Sequence, residues 1–499
     1  MPRERQSYMR SGVKFLGWGS FVLASTLVGL LSARAEPPPR LGEAEVIQWV
    51  LQRNLGIQAA SYDAPIAATD VTKVKGEFDT KLRGEATFNL DRSDQTSIVF
   101  GNDNRTVYYD VRAEKKFPVG IQGALVLSNQ RDSTNSTFAT DPAFFETILR
   151  AEVQGALLRN RFGKSDKAQI ALAKANEKVV AEQALSFAEQ RVAEALTQYW
   201  NWVAAGNYYA VAKRFANSAQ EFVRNTNDKK ILGLAEDTDS LGSRAQFLER
   251  QAEADRARNL QVNAEKRLRY MLDASGEGAW SPKDPLRSPI RALSREEFMA
   301  QALASRPEYL ALKREAEARD IQITLAKDQK WPALDLYTSL EANSVDPAYG
   351  QVLGETFSFQ NPNWRIGARF SMAIENRIAK GELERSKLEK ARVLVLMKEM
   401  ESLIALQIDE QIRQVRLQQK EVTNYTEASR LQNAKVQAEM EKFNLGRSDS
   451  DTIVRFNDDA ISAERRRLEA ELRYRLAWVE LRKAIGALLP PGLRAGGES

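Results

Sequence analysis

Few side chains here have the chemistry to act as a site, and those few lie beside two glycine turns. Asp239 follows Leu232-Gly233-Leu234, and Asp449, Asp451 and Arg455 follow Leu445-Gly446-Arg447. Carboxylates placed where a helix begins stabilise the positive end of its dipole. They form no catalytic set, because the 499-residue chain has neither histidine nor cysteine. Imidazole bases, thiol nucleophiles, disulfides and nearly every transition-metal site are thereby excluded. Carboxylates abound in a chain that is 28% charged, but no general base, metal cluster or phosphate loop accompanies them. No catalytic residues, metal or cofactor are expected, and the chain reads as a protein that is not an enzyme.

The two turns are copies of one another. Leu232-Gly233 is answered by Leu445-Gly446 at an offset of 213, and the same offset carries Ala264 onto Ala477, Leu268 onto Leu481 and Arg269 onto Arg482. Further upstream, Leu51-Gln52-Arg53-Asn54 is answered by Leu303-Ala304-Ser305-Arg306 at an offset of 252, so the first copy holds 39 residues that the second lacks. Short periods build solenoids. A period this long instead means two similar halves of one symmetric object. The boundaries are 1–35 for a leader, 36–275 for the first structural repeat, 276–293 for a linker, 294–488 for the second repeat and 489–499 for a tail.

The leader reads as a signal peptide. Arg3, Arg5, Arg10 and Lys14 precede an apolar run from Phe15 to Leu31, and Ala33-Arg34-Ala35 offers a small-residue cleavage site. With Arg34 and against Glu4, these side chains account for +4 of the net +5. The exported chain is close to neutral, so its basic pI is no argument for a nucleic-acid partner.

Each turn needs long helices to hold it. No proline lies between Pro142 and Pro282 or between Pro362 and Pro490, and an interior proline costs a helix about 3 kcal/mol. Long helical hairpins are expected at 164–273 and 376–486, each with a first arm of roughly 100 Å. Shorter opening helices, at about 41–75 and 295–330, have the length to stack on the returning arms as a second column. Apolar spacings of three and four, as in Leu396, Met397, Met400, Leu403 and Ile404, read as coiled-coil packing. The cluster Tyr199, Trp200, Trp202, Tyr208 and Tyr209 reads as core.

Between opening and long helices the period changes to two. Leu82, Gly84, Ala86, Phe88 and Leu90 alternate with Arg83, Glu85, Thr87 and Asn89, and five more segments over about 80–156 and 333–373 behave alike. Alternation over about ten residues fits outer-membrane strands with one face to lipid and one to a wet lumen. Polar loops at about 93–104, 132–143 and 344–361 are long, whereas Phe117-Pro118-Val119-Gly120 is tight, and outer-membrane barrels pair long external loops with short periplasmic turns. Two extra strands, at about Thr106 to Phe117 and Ile121 to Asn129, fill the 39-residue excess. Six segments are too few to close a membrane barrel, whose smallest form has eight strands, so the chain must oligomerise.

This arrangement resembles the TolC-type outer-membrane factor family over essentially the whole exported chain. The residues that carry the resemblance are Ala302-Leu303, Arg306-Pro307-Glu308 and Trp331-Pro332-Ala333-Leu334 at the repeat opening, Phe443-Asn444-Leu445-Gly446 with Ile453-Val454, Ala460 and Ala463 at the turn, and Gln154-Gly155-Ala156-Leu157-Leu158-Arg159-Asn160 at the end of the first strand set. The resemblance implies an α+β membrane protein, internally duplicated, with a long coiled-coil α-helical barrel and a transmembrane antiparallel β-barrel formed by a homotrimer. Family members usually place four strands per chain in the barrel. Six candidates here mean either an eighteen-stranded barrel or an extra hairpin lying outside it.

The function implied is that of the exit duct of a tripartite efflux or type I secretion system in a Gram-negative outer membrane, extending into the periplasm. Its implied partners are two further copies, outer-membrane lipid, a periplasmic adaptor and an inner-membrane pump of ABC, RND or MFS type. Leu232, Gly233, Leu234, Leu445, Gly446 and Arg447 would be the adaptor-contacting tips. Asp239, Asp449, Asp451 and Arg455 would lie at the periplasmic gate, where family members often carry a ring of aspartates that cations plug. The competing reading is an exported coiled-coil adaptor or envelope scaffold without a pore.

Overall fold

The computed structural model describes residues 40–490 and 493, apart from 95, 97, 98, 100, 234, 276, 277 and 288–292. The expected leader, Leu234, part of the linker and most of the tail lie outside the described residues.

The first repeat contains β1 (Arg40–Leu41), α1 (Glu43–Arg53), α2 (Leu55–Ser61), α3 (Asp63–Lys75), β2 (Lys81–Asp91), β3 (Asn104–Phe117), β4 (Ile121–Thr134), β5 (Ala143–Ala156), the long α4 (Lys164–Ile231) and the returning α5 (Asp237–Met271). After β6 (Ser281–Pro282) the second contains α6 (Arg295–Ser305), α7 (Pro307–Gln329), β7 (Ala333–Asp346), a short α8 (Tyr349–Phe357), β8 (Pro362–Ser371), the long α9 (Arg377–Asn444) and the returning α10 (Ser450–Ala484). Among the described residues no helix is long and apolar enough to cross a membrane.

Helix lengths repeat to the residue. The long arms α4 and α9 each have 68 residues, about 100 Å at helical rise, and the returning arms α5 and α10 each have 35. Both pairs start at the 213 offset, whereas β2 and β7 start at the 252 offset. The excess of the first copy therefore falls between the start of β2 and the start of α4, where β3 and β4 form an additional hairpin.

The opening helices are interrupted, contrary to the expectation of continuous segments. Pro307 keeps Arg306 out of helical geometry, at φ −76° and ψ 117°. In the first copy the chain leaves helical geometry at Asn54, while a second interruption at Tyr62 keeps helical dihedrals. The Asn54 Oδ1 accepts from the Ile57 amide at 3.2 Å while its Nδ2 donates to the Met271 carbonyl at 2.9 Å. One side chain thus caps the start of α2 and the end of α5, two sets of groups that a helix leaves unsatisfied, and the two helices meet end to end.

The chain divides into two compact units, and each repeat contributes to both. One comprises Met1–Ala60, Phe187–Phe298 and Ile408–Ser499. Its core holds Tyr199, Trp200 and Trp202, all buried, whereas Tyr208 and Tyr209 of the same aromatic cluster are only half-buried. The Tyr199 hydroxyl shares its one proton between two acceptors, Asp284 Oδ2 at 3.0 Å and the Leu41 carbonyl at 3.2 Å, beside the parallel pair β1 and β6.

The other unit comprises Ser61–Ser186 and Met299–Gln407. It carries one six-stranded sheet in the order β2-β3-β4-β5-β7-β8, antiparallel throughout. The extra hairpin is inside this sheet, with β3 paired to β2 over Asn104–Glu114 and β4 paired to β5 over Ile121–Ser133. Where β3 turns into β4, Gly120 and Gly163 pack backbone against backbone at φ +77° and +70°, and a Cβ on Gly163 would overlap the Pro118 carbonyl.

Candidate functional site

Register sorts the strand residues into two unlike faces. On one, Arg83, Arg112 and Arg150 meet Glu114, Glu152 and Glu341 in ion pairs of 3.1, 3.2 and 2.6 Å that link β2 to β3, β3 to β5 and β5 to β7. The other is apolar, with Leu82, Phe88, Leu125, Val153, Leu336, Trp364, Ile366 and Phe370 all exposed. An apolar surface this broad normally marks an interaction with lipid or another protein.

The apolar band crosses the strands on a diagonal. On β2 it is centred at Ala86, which the register carries through Tyr109, Asn129 and Thr147 to Ser344 on β7. On β8 it is centred at Ile366, opposite Thr338, six residues back from Ser344. A slip of six residues is about 20 Å along the strands, over five inter-strand steps totalling about 24 Å, so the band is inclined by about 40°. Membrane barrels tilt their strands by about 35–45° against a horizontal apolar belt. A soluble sheet packed on a core has no reason to match that angle.

The two helical tips are alike in construction. Gly233 and Gly446 adopt φ +73° and +71° with open space around them, which lets each chain reverse. Leu232 and Leu445 are 71% and 70% exposed, and Arg447 is exposed beside them. Under the tips, Phe222, Phe443 and Ile453 form a buried cluster that ties α4, α9 and α10 together. Lys229 donates to the Phe443 carbonyl at 2.5 Å and lies 3.6 Å from the ring centre of that residue. Burial lowers its pKa.

Two of the acids at the tips, Asp239 and Asp449, serve as helix caps. Asp239 Oδ2 accepts from the Glu236 amide at 2.9 Å, completing a capping box at the start of α5, and Asp239 Oδ1 accepts from the Ser450 hydroxyl of α10. Asp449 caps α10, accepting from the Thr452 amide at 2.7 Å, and that bond holds its pKa below the ordinary range. Asp451 is exposed on the first turn of α10 and Arg455 on the second, where its guanidinium stands 5.5 Å from the Phe456 ring. Glu236, the first-copy equivalent of Asp449 at the 213 offset, was not singled out from sequence. The repeat was the signal that could have found it. Lys229 also escaped notice, although a cation near a helix C-terminus is placed to meet its free carbonyls.

No protein-family model and no curated protein matches the chain. Solved structures do. The outer-membrane channel OprN is similar at TM-score 0.66 and 15% identity, over 89% of this chain and 90% of that one. The Campylobacter jejuni CmeC outer membrane channel is similar at TM-score 0.65 and 12% identity, over 98% of each chain. The Neisseria gonorrhoeae MtrE outer membrane channel in its open state is similar at TM-score 0.61 and 17% identity, over 90% of each. At such identities the likeness is one of fold. The chain has the architecture of these outer-membrane channels, the one that its resemblance to TolC-type factors led us to expect.

Proposed function

We propose that the chain is the outer-membrane exit duct of an efflux or type I secretion system, a passive conduit for substrates delivered by an inner-membrane pump through a periplasmic adaptor. The inclined apolar band carries this reading. It needs lipid to cover it, and its inclination fits a tilted strand set in a bilayer. The charged opposite face then lines the lumen. Likeness of fold to outer-membrane channels supports the same conclusion.

Closure requires further copies. The sheet ends in β2 and β8, which run in opposite directions, so β8 of one copy pairs antiparallel with β2 of the next. Three copies of the six-stranded sheet make eighteen strands. At about 4.8 Å spacing and 40° tilt the barrel is about 36 Å across, against about 24 Å for twelve strands. The exposed tips at Leu232, Gly233, Leu445, Gly446 and Arg447 are the surfaces offered to the adaptor, and Asp239, Asp449, Asp451 and Arg455 lie where a constriction would form.

The test is reconstitution into planar bilayers. A duct gives stable single-channel steps and a heat-sensitive oligomer on unheated detergent gels. A scaffold gives neither, and soluble protein that stays monomeric without detergent would overturn the proposal.

A further inference from the structure

The helix α8 occupies the loop at the end of the sheet away from the long helices, and it is folded against the sheet's apolar face. Tyr349 packs on Phe145 with the rings tilted by 49° and their centres 5.2 Å apart, and its hydroxyl is 2.5 Å from that of Tyr109. Glu355 accepts from the Ser344 hydroxyl at 2.6 Å, and the Thr356 hydroxyl donates to the Thr147 carbonyl at 3.3 Å. Tyr109, Phe145, Thr147 and Ser344 all share the face of Leu125 and Leu336.

That position solves a local problem. One row of this face is polar: Asn129 donates to the Thr147 hydroxyl at 2.5 Å, and Ser344 follows on β7. On β5 and β7 the row lies directly beyond Leu149 and Ala342, with the α8-covered Phe145 on its other side on β5. The helix buries it, leaving Thr147 and Ser344 at 0% and 3% exposure. The far end of the helix leads into Pro362, which pairs with Ala342 at the edge of the band. Phe357 and Phe359, a few residues before Pro362, are exposed, and between them and the strand the Asn361 side chain donates to the Asn343 carbonyl at 3.4 Å. Membrane barrels carry aromatic girdles at the two edges of their apolar belts, and amphipathic helices lie at the boundary of headgroups and acyl chains.

We propose that α8 is an interfacial helix docked in the outer leaflet, with its underside sealing the polar row and Phe357 and Phe359 inserted at the headgroup boundary. The loop is then held outside the barrel wall and does not cover the pore mouth. This rests on the outer-membrane reading of the sheet.

The chain has no cysteine, so single cysteines at Phe357 and Phe359 can carry an environment-sensitive fluorophore in protein reconstituted into phosphatidylcholine vesicles. Ile366→Cys at the band centre and Phe138→Cys in another external loop serve as references. Lipids spin-labelled near the headgroup should quench the 357 and 359 probes more than lipids labelled near the bilayer centre, with emission shifted to the blue of the 138 probe. Quenching of both probes by aqueous iodide to the level of the 138 probe, while the 366 probe stays lipid-quenched, overturns the proposal alone. A 366 probe quenched by iodide overturns it together with the membrane reading.

Discussion

Replacing Leu125 by lysine tests the face assignment most directly. The apolar positions of β4 run from Ile121 to Leu127, so Leu125 lies within one residue of the middle of its strand's band. A lysine at the midplane of a membrane barrel costs about 2–4 kcal/mol, falling to about 0–1 near the boundary. At about 3 kcal/mol the folding equilibrium constant at a fixed denaturant concentration drops by about two decades. Two references calibrate the loss. Ser128→Lys points to the charged face opposite Asp110, where a cation finds a partner. Ser133→Lys stays on the apolar-face parity but is eight residues on, about 26 Å along the strand and about 20 Å along the membrane normal at 40° tilt. That lies outside the ~12 Å half-height of the belt. Urea titration in vesicles, read by tryptophan emission and by migration on unheated gels, should rank Leu125→Lys far below both references, with Leu336→Lys and Phe370→Lys also impaired. Equal titrations for Leu125→Lys and Ser128→Lys would refute the assignment of lipid and lumen faces.

Three further outcomes follow from packing. Gly233→Ala should cost about 1–2 kcal/mol, the strain of a left-handed alanine in open space, whereas Gly163→Ala should cost several times more in a thermal melt because its Cβ overlaps the Pro118 carbonyl. Arg467 pairs with two buried acids, Glu464 at 2.9 Å and Glu471 at 2.7 Å, so Arg467→Ala should lose about 3–5 kcal/mol in chemical denaturation, more than Glu464→Ala, which leaves Arg467 one partner. Burial raises the Glu464 pKa, but hydrogen bonds from Arg467 and Ser429 outweigh it and hold the group below its ordinary 4.5. A depressed folded-state pKa gives stability that is present above the unfolded value and lost as pH falls through the folded one. Stability should therefore decline below about pH 4.5, and Glu464→Gln should flatten that decline.

Much of this architecture was legible because symmetry repeats its signals. The 213 offset marks α4, α5, α9 and α10, whose paired lengths agree to the residue. Parity marked all six strands, and the extra ones, read as about 106–117 and 121–129, are Asn104–Phe117 and Ile121–Thr134. What escaped was set by contacts between distant residues. The helix α8 is hidden in a polar stretch of sequence because Gly350 and Gly354 weaken its local preference. It forms because Val352 and Thr356 are buried against the sheet. The break at Asn54 was equally hidden, since its reason is the Met271 carbonyl 217 residues away.

The tip acids pose a sharper question, because capping and gating are not exclusive uses of a carboxylate. An aspartate offers about four lone-pair sites on two oxygens. Asp239 engages one on the Glu236 amide and one on the Ser450 hydroxyl, and its charge remains. Asparagine and alanine therefore separate the two roles. Asp239→Asn keeps a side-chain oxygen that accepts from the Glu236 amide but removes the charge, and Asp239→Ala removes both. Ser450→Ala spares the cap and the charge but removes this one of the links between the two hairpins. If a ring of Asp239 carboxylates narrows the tube, Asp239→Asn should abolish block by added divalent cations in single-channel recordings while hydrogen exchange at the start of α5 stays slow. Ser450→Ala should leave the block intact and speed exchange at the tips. Cation block unchanged in Asp239→Asn, with fast exchange in Asp239→Ala, would leave this carboxylate a cap and place any constriction at Asp449 or Asp451, where the same pair of substitutions applies.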